Sequence, residues 1–554
     1  MTSRLRTLLT LTLLIVCGLM VSPHRRVAGQ RGDKVTPNGA VFDPCLVQPP
    51  PPQCVPAPTP DPRKGVSLGV VVRPDELEER TQDLRGPNQE RYPNAKPNIE
   101  IIRESRADWV RLWADWPSLQ PTRDFSFADV GGDERTRPFI ESLDAQIVFA
   151  RQNNLKVILV VHHRFPLWSN GTPDQECPSR CEAESDPDAK KDCETRCGMV
   201  NDPNAAQLKL DKPRDPFGKV PGDLGVDSPW GKWIDFLVRR YGYSNETQAS
   251  GRYVDYLEVV NEPNLTMWPQ WKDDKVGNRD NIRGRLLIAN NVARMFMTAQ
   301  EIVSRRNAEP NVLDGQRPTT VKLVGPSASD VRDPMPNAPD DPQDKREKRK
   351  KLRVIRTGYD TFSRELLTQL GEARFNPKSY FSWSHHDYAD VEKSRRDAPV
   401  FDTKEQTLED STGRTNSAAW VRELLRVGTG KGRANRWTGW PDANHPGLLI
   451  TEGGARLSAV GSEAEQSKLV GDNFDLLLSD DGRLRAGMGL FTQYLTYTDL
   501  CFDSGMFRFI DQQPTKPRDL KCAGPGAFTG GGGAPRALYE KWKALSSTSK
   551  NPIP

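Results

Sequence analysis

The sequence predicts an α/β protein folded as a (β/α)8 barrel, and three observations carry that expectation. Eight short, mostly apolar runs, several of them rich in β-branched residues, recur along the chain. Helical patterns stand between most of them, as repeated βα units require. A barrel needs roughly 250 residues, so a chain of 554 residues holds one barrel with insertions as readily as several domains.

The elements follow in order. Arg4 and Arg6 precede an apolar run from Leu8 to Val21, and Val27-Ala28-Gly29 offers small residues for cleavage. That run is short for a membrane span and suits the core of a signal peptide. Residues 1–29 are therefore expected to be an export signal, with an uncleaved anchor as the alternative because Arg25 and Arg26 follow the run. Residues 30–62 are Pro-rich and read as a linker or collar. The barrel is expected over residues 63–547, with a short tail at 548–554. Its strands are Val66–Val72, Trp109–Trp113, Lys156–His162, Tyr256–Asn261, Val321–Pro326, Tyr380–His385, Leu448–Glu452 and Gly487–Thr492. Each is mostly apolar, as strands covered on both faces are. Helices are expected at Thr136–Asn153, Trp233–Tyr241, Asn281–Arg305, Tyr359–Leu370, Ser417–Val427, Glu463–Leu478 and Ala537–Leu545. Insertions fall near 172–226 and 330–353, and Ala389–Arg414 reads as loop.

Charge and cysteine usage narrow the function classes. The formal charge is +4, and residues 1–29 hold four Arg and no acid. The remainder is balanced, which argues against nucleic acid as the main partner; the run KREKRKK in the second insertion reads as a solvated face. Of nine Cys, Cys17 lies in the signal. The other eight form local groups: Cys45 and Cys54; Cys177, Cys181, Cys193 and Cys197; Cys501 and Cys522. An even set in an exported chain reads as disulfides. The middle group allows nested bridges, Cys177 to Cys197 and Cys181 to Cys193, on two antiparallel helices. It resembles the stapled helical hairpins called alpha-hairpinins, with a zinc site as the alternative.

Catalytic side chains of such barrels project from the C-terminal ends of the strands. The fourth strand ends Asn261-Glu262-Pro263-Asn264 and the seventh Thr451-Glu452-Gly453-Gly454. Two Glu on opposite strands face one mouth. Glycosidic bond cleavage needs such a pair, one acid to protonate the leaving oxygen and one carboxylate to attack the anomeric carbon or activate water. Of six His, four form two pairs at strand ends, His162-His163 and His385-His386. Neighbours on a strand point to opposite sides, so one of each pair is expected at the mouth. Trp113, Trp116, Trp168, Trp268, Trp271 and Trp383 lie at or beyond strand ends, where flat rings stack on sugars or simply pack.

With these motifs the sequence resembles clan A of the glycoside hydrolases, the retaining (β/α)8 glycosidases, families 5 and 39 in particular. The resemblance spans roughly residues 66–547 without the insertions. It implies Glu262 as acid/base, Glu452 as nucleophile, and Asn261 as a ligand of the sugar 2-hydroxyl. Arg111 is implied as the partner of the nucleophile, His386 and Tyr388 as the His-x-Tyr unit of strand six, and His163 as a sugar contact. Trp268 and Trp271 are the expected stacking rings. The clan often has a Trp ending strand eight; here Gln493 or Tyr494 stands there, with Gln493 taken as a substrate contact. The expected protein is an exported, cofactor-independent β-glycoside hydrolase with carbohydrate as its partner. Glu262 is expected above, and Glu452 below, the usual carboxylate range. Three other readings remain: a transglycosylase on the same residues, a non-catalytic carbohydrate-binding envelope protein, and a metal-dependent hydrolase using the His pairs.

Overall fold

A computed structural model describes residues 67–72, 77, 96–120, 127, 134, 136–161, 166, 185–188, 190, 224–265, 281–310, 321–333, 342–345, 357–373, 375, 381–402, 407–409, 413–429, 448–478, 488–498, 502–508 and 534–548. All belong to the unit Val55–Pro554. The export signal, the Pro-rich segment, every cysteine and most of both insertions lie outside the described residues. No described helix is long and apolar enough to cross a membrane.

Ten strands are described: β1 Ser67–Val71, β2 Trp109–Ala114, β3 Lys156–Val161, β4 Tyr256–Glu258, β5 Lys322–Ser329, β6 Phe381–His386, β7 Val400–Asp402, β8 Thr407–Glu409, β9 Leu448–Gly453 and β10 Met488–Tyr494. Eight of them close a barrel in the order β1-β10-β9-β6-β5-β4-β3-β2, and every pairing is parallel. The (β/α)8 expectation therefore holds, strand for strand. Two elements differ from the sequence reading. Ala389–Arg414 is not plain loop: it contains part of a helix, Tyr388–Glu392, and the antiparallel hairpin β7–β8. Strands of three residues are too short to show a period. The fourth strand stops at Glu258 instead of Asn261. Opposite it runs Gly325-Pro326, and proline has no N–H to continue a regular ladder.

The barrel interior is layered, because inward positions recur every second residue. Ile158, Tyr256, Val324, Leu449 and Leu490 form a buried apolar plug, with Trp109 packed on it. Two residues farther along, three of these strands carry Arg111, Glu258 and Thr451 in place of aliphatic side chains. A dry floor thus lies directly beneath a polar layer.

The larger core lies between sheet and helices. In Asn281–Asn307 the buried Ile288, Ala289, Val292, Ala293, Phe296, Ala299 and Val303 recur at helical spacing against the barrel. Ser228 caps the helix Pro229–Tyr241 by accepting from the Gly231 N–H at 3.1 Å. That helix carries Trp233, which stacks on Trp116 with centroids 5.5 Å apart and planes 2° apart. Both rings are fully buried. Trp116 and the equally buried Trp383 are core side chains, the packing alternative of the two readings offered for these rings. The last helix, Ala537–Thr548, packs on the helix Glu463–Leu478 and sets Trp542 against Phe491 of β10. Its Tyr539 donates to Glu104, and the Tyr497 hydroxyl donates to the Lys96 carbonyl at 2.5 Å.

Trp233→Ala is expected to cost about 3–5 kcal/mol, because a large buried ring leaves a cavity its stacked partners cannot fill. Chemical denaturation of the variant beside wild type checks this; a loss under 1 kcal/mol would contradict the packing.

Candidate active site

The site is built on two β-bulges. On β5, Pro326 pairs with Ser384 and Ala328 with His385, leaving Ser327 as the extra residue. Ser327 has φ 51°, the left-handed region that serine rarely adopts. On β9, Ile450 pairs with His385 and Glu452 with His386, so one extra residue lies between them. A bulge re-aims side chains locally. Thr451 and Glu452, though consecutive, consequently both reach polar partners inside the barrel mouth.

Arg111 is the centre of these contacts and is wholly buried. Its Nε donates to Glu258 at 2.5 Å, one terminal nitrogen donates to Glu452, and the other donates to Asn261 at 2.6 Å. Its guanidinium also lies 4.5 Å from the centroid of the half-buried Trp113 ring. Burial works against its charge, but Glu258 and Glu452 together more than offset this and raise its pKa.

Glu452 also accepts from the Tyr388 hydroxyl at 2.8 Å. Glu262 stands across the mouth just after β4, with its side chain 12% exposed. Its φ is 45°, another left-handed non-glycine, and its N–H donates to the Ser327 carbonyl at 3.1 Å. His386 joins the two carboxyls: its Nδ1 lies 3.0 Å from Glu262 and 3.6 Å from Glu452. One oxygen of each carboxyl and the imidazole nitrogen all lie within 4.8 Å of one another. His385 points the other way, to the Ser417 hydroxyl at 2.7 Å, and burial holds it down to about 3. So His386 is the member of this pair at the mouth.

The structure thus brings together Arg111, Asn261, Glu262, His386, Tyr388 and Glu452. His163, Trp268 and Trp271 lie outside the described residues. Gln493 is placed differently from the expectation. It is fully buried, and its amide donates to the Tyr494 and Ser504 carbonyls, both at 2.8 Å. Tyr494 is the half-buried member of that strand end, packed edge-on to Tyr388 and Phe502. Asn264, in the same four-residue motif as Glu262, is a clip: its amide donates to Ser329 and Thr357 carbonyls and accepts from the Ser329 N–H.

Sequence reasoning missed Glu258, Ser327 and Thr451. The available signal was an acid inside the apolar run Tyr256-Leu257-Glu258-Val259-Val260, since a charge in a buried strand needs a partner. The structure also reverses one expected direction. Glu452 was expected below the usual carboxylate range; instead burial, reinforced by Glu262, raises it, against the pull of His386, Arg111 and Tyr388. The sequence reading gave Arg111 one carboxylate to neutralise, and the fold gives it two.

Glu262, His386 and Glu452 are also the described residues spaced closely enough to share a cation. The donor set suits one poorly. A guanidinium already bonded to Glu452 would repel a second cation beside it. The arrangement is better suited to holding and moving protons.

Behind this layer lies a group of buried acids. Asp330, Asp387 and Asp390 are raised by burial, and Asp330 and Asp387 also by the neighbouring Asp390 charge. Arg395, 3.3 Å from Asp390, faces them.

No family model matches this chain, and no curated protein matches it. Solved structures do. A family 39 glycoside hydrolase from Bacteroides cellulosilyticus WH2 superposes with a TM-score of 0.40 at 12% identity, over 89% of this chain and 65% of that one. A β-glucosidase from Exiguobacterium marinum gives 0.38 at 10% identity, over 88% and 99%. A family 1 β-glucosidase from Thermotoga maritima gives 0.37 at 11%, over 88% and 98%. The chain spans about two-thirds of the length of the first of these. At this level the likenesses add nothing to the barrel beyond what its own strand register establishes.

Arg111→Met is expected to cost about 3–5 kcal/mol, because it leaves two buried carboxylates without their cation; equilibrium denaturation measures it. The buried acids give a pH signature. Their folded pKa values are raised, so above pH ~4 the native state holds protons the unfolded state has released, and stability falls as pH rises. Asp387→Asn removes its share. The melting temperature of the variant relative to wild type is expected to improve steadily from pH 4 upward. A difference that is flat with pH would contradict this.

Proposed function

We propose that the protein is a retaining β-glycoside hydrolase acting on a β-linked poly- or oligosaccharide. The observation that carries the reading is the Glu262–Glu452 pair, with nearest oxygens within 4.8 Å. Retaining enzymes hold their carboxyls about 5–5.5 Å apart, and inverting ones about 6.5–9.5 Å to admit a water.

Glu452 is the nucleophile. Arg111 and Tyr388 each hold one of its oxygens, which fixes the carboxylate plane. Glu262 is the acid/base. In the first step its proton goes to the glycosidic oxygen as that bond breaks, and a Glu452 oxygen bonds the anomeric carbon. Water then attacks that carbon, gives a proton to Glu262, and releases Glu452. His386 Nδ1, within reach of both carboxyls, exchanges hydrogen bonds between them as their charges alternate. Asn261, held by Arg111, presents its amide near the 2-hydroxyl of the bound sugar. The apolar plug below keeps the site floor dry, so these electrostatic contacts act at low dielectric. The N-terminal signal pattern supports an exported enzyme.

The test is a hydrolysis screen on β-glucans, mannans, xylans and aryl β-glycosides. Glu262→Gln is expected to lower kcat on the order of 10²–10⁴-fold, and Glu452→Gln to abolish turnover. Proton NMR of the first product should show the β anomer. Activity surviving Glu452→Gln, or an α anomer from a β-linked substrate, would overturn the mechanism.

A further inference from the structure

Both bulge hydroxyls converge on a single atom. Ser327, the bulge residue of β5, and Thr451, in the bulge of β9, each donate to the same oxygen of Glu258, Thr451 at 2.7 Å. The other Glu258 oxygen accepts from Arg111. The side chain is fully buried. Ser327 is itself pinned by Ser384 of β6, whose hydroxyl accepts the Ser327 N–H at 3.0 Å. Five barrel strands are tied through this carboxylate: β2, β4, β5 and β9 directly, and β6 through Ser384.

We infer that Glu258 is a positioning residue that sets both reacting carboxyls by dividing the hydrogen bonds of Arg111 and locking the two bulges.

Two routes lead from it. Through Arg111 it reaches Glu452: the guanidinium is split between the two carboxylates, so whatever strengthens its hold on one weakens its hold on the other. Through Ser327 it reaches Glu262, because the same residue that donates its hydroxyl to Glu258 accepts the Glu262 N–H on its carbonyl. Glu262 and Ser327 are both in the left-handed region, and that conformation persists only where the surroundings fix it. The Ser327 hydroxyl bond to Glu258 is part of what fixes it. This inference rests on the glycosidase reading for its consequence in catalysis, but its geometry does not.

The groups facing Glu452 are Arg111 from β2, Glu262 after β4, His386 at the end of β6 and Tyr388 beyond it, and Glu258 from β4 reaches it through Arg111. Removing the Glu258 charge gives Arg111 wholly to Glu452. Removing a hydroxyl from Glu258 makes that carboxylate lean harder on Arg111, at the expense of Glu452. The two kinds of variant must therefore move Glu452 in opposite directions, which a merely structural role would not do.

The experiment is a carbon-13 NMR titration of Glu452 in the full chain labelled at glutamate, assigned by difference with Glu452→Gln. No substrate is needed. Glu258→Gln is expected to lower the Glu452 midpoint by about one pH unit, and Ser327→Ala and Thr451→Val to raise it. Movement in one common direction, or none, would overturn the inference. Circular dichroism confirms folding. Should Ser327→Ala or Glu258→Gln fail to fold, Thr451→Val decides alone: a raised midpoint supports the inference and an unmoved one overturns it. In an active enzyme the acid limb of kcat/KM must follow the same shifts. If the wild type is silent on every glycoside while the NMR midpoints move as stated, the glycosidase reading falls and this inference stands.

Discussion

One buried cation faces two buried carboxylates, and the upper half of the barrel is arranged around that imbalance. Arg111 has a planar fork whose three nitrogens reach Glu258, Glu452 and Asn261 in different directions. A lysine could offer charge but not that geometry. Burying these groups is costly, and the cost is met by bonding nearly every polar atom: Glu258 accepts from Arg111, Ser327 and Thr451, and Glu452 from Arg111 and Tyr388. Two carboxyl groups thus compete for one guanidinium. Both raise the Arg111 pKa, while burial raises Glu452 against the pull of Arg111, His386 and Tyr388.

The bulges follow from the same constraint. A regular β9 would send Thr451 and Glu452 to opposite faces, and only one could join the polar layer. The extra residue on β9 lets both do so. The extra residue on β5 brings the Ser327 hydroxyl to Glu258 and its carbonyl to the Glu262 N–H. Irregularities that would weaken an ordinary sheet here aim the side chains on which the proposed chemistry rests. Below them the strands return to regular alternation, and Ile158, Tyr256, Val324, Leu449 and Leu490 fill the barrel without a polar atom except the tyrosine hydroxyl.

Much of the architecture was legible in the residues. All eight barrel strands stand out as short, mostly apolar runs, and the helices at Ser417–Val427 and Glu463–Leu478 have the bounds their periodicity predicts. The Glu262 and Glu452 contexts were readable because a carboxylate ending a buried apolar strand is costly without a purpose. The His385-His386 pair was readable only in part: alternation says that one faces the mouth, and the contacts to Ser417 and Glu262 say which. Gln493 was readable only as a polar residue at a strand end; the fold buries it and gives its amide to the carbonyls of its chain neighbour Tyr494 and of Ser504.

The sequence by itself determined the alternation of strands and helices and the two carboxylates at strand ends, because period and burial are local properties of the chain. The tertiary structure alone decided which charges share a partner. Glu258 is 147 residues from Arg111, and Arg111 is 341 residues from Glu452. Nothing local records that these three meet, nor that bulges on β5 and β9 turn two hydroxyls onto one oxygen. The direction of the Glu452 shift is also tertiary: burial raises it against the pull of His386, Arg111 and Tyr388, because electrostatic energy depends on distance in space and depth from solvent, neither of which a linear sequence contains.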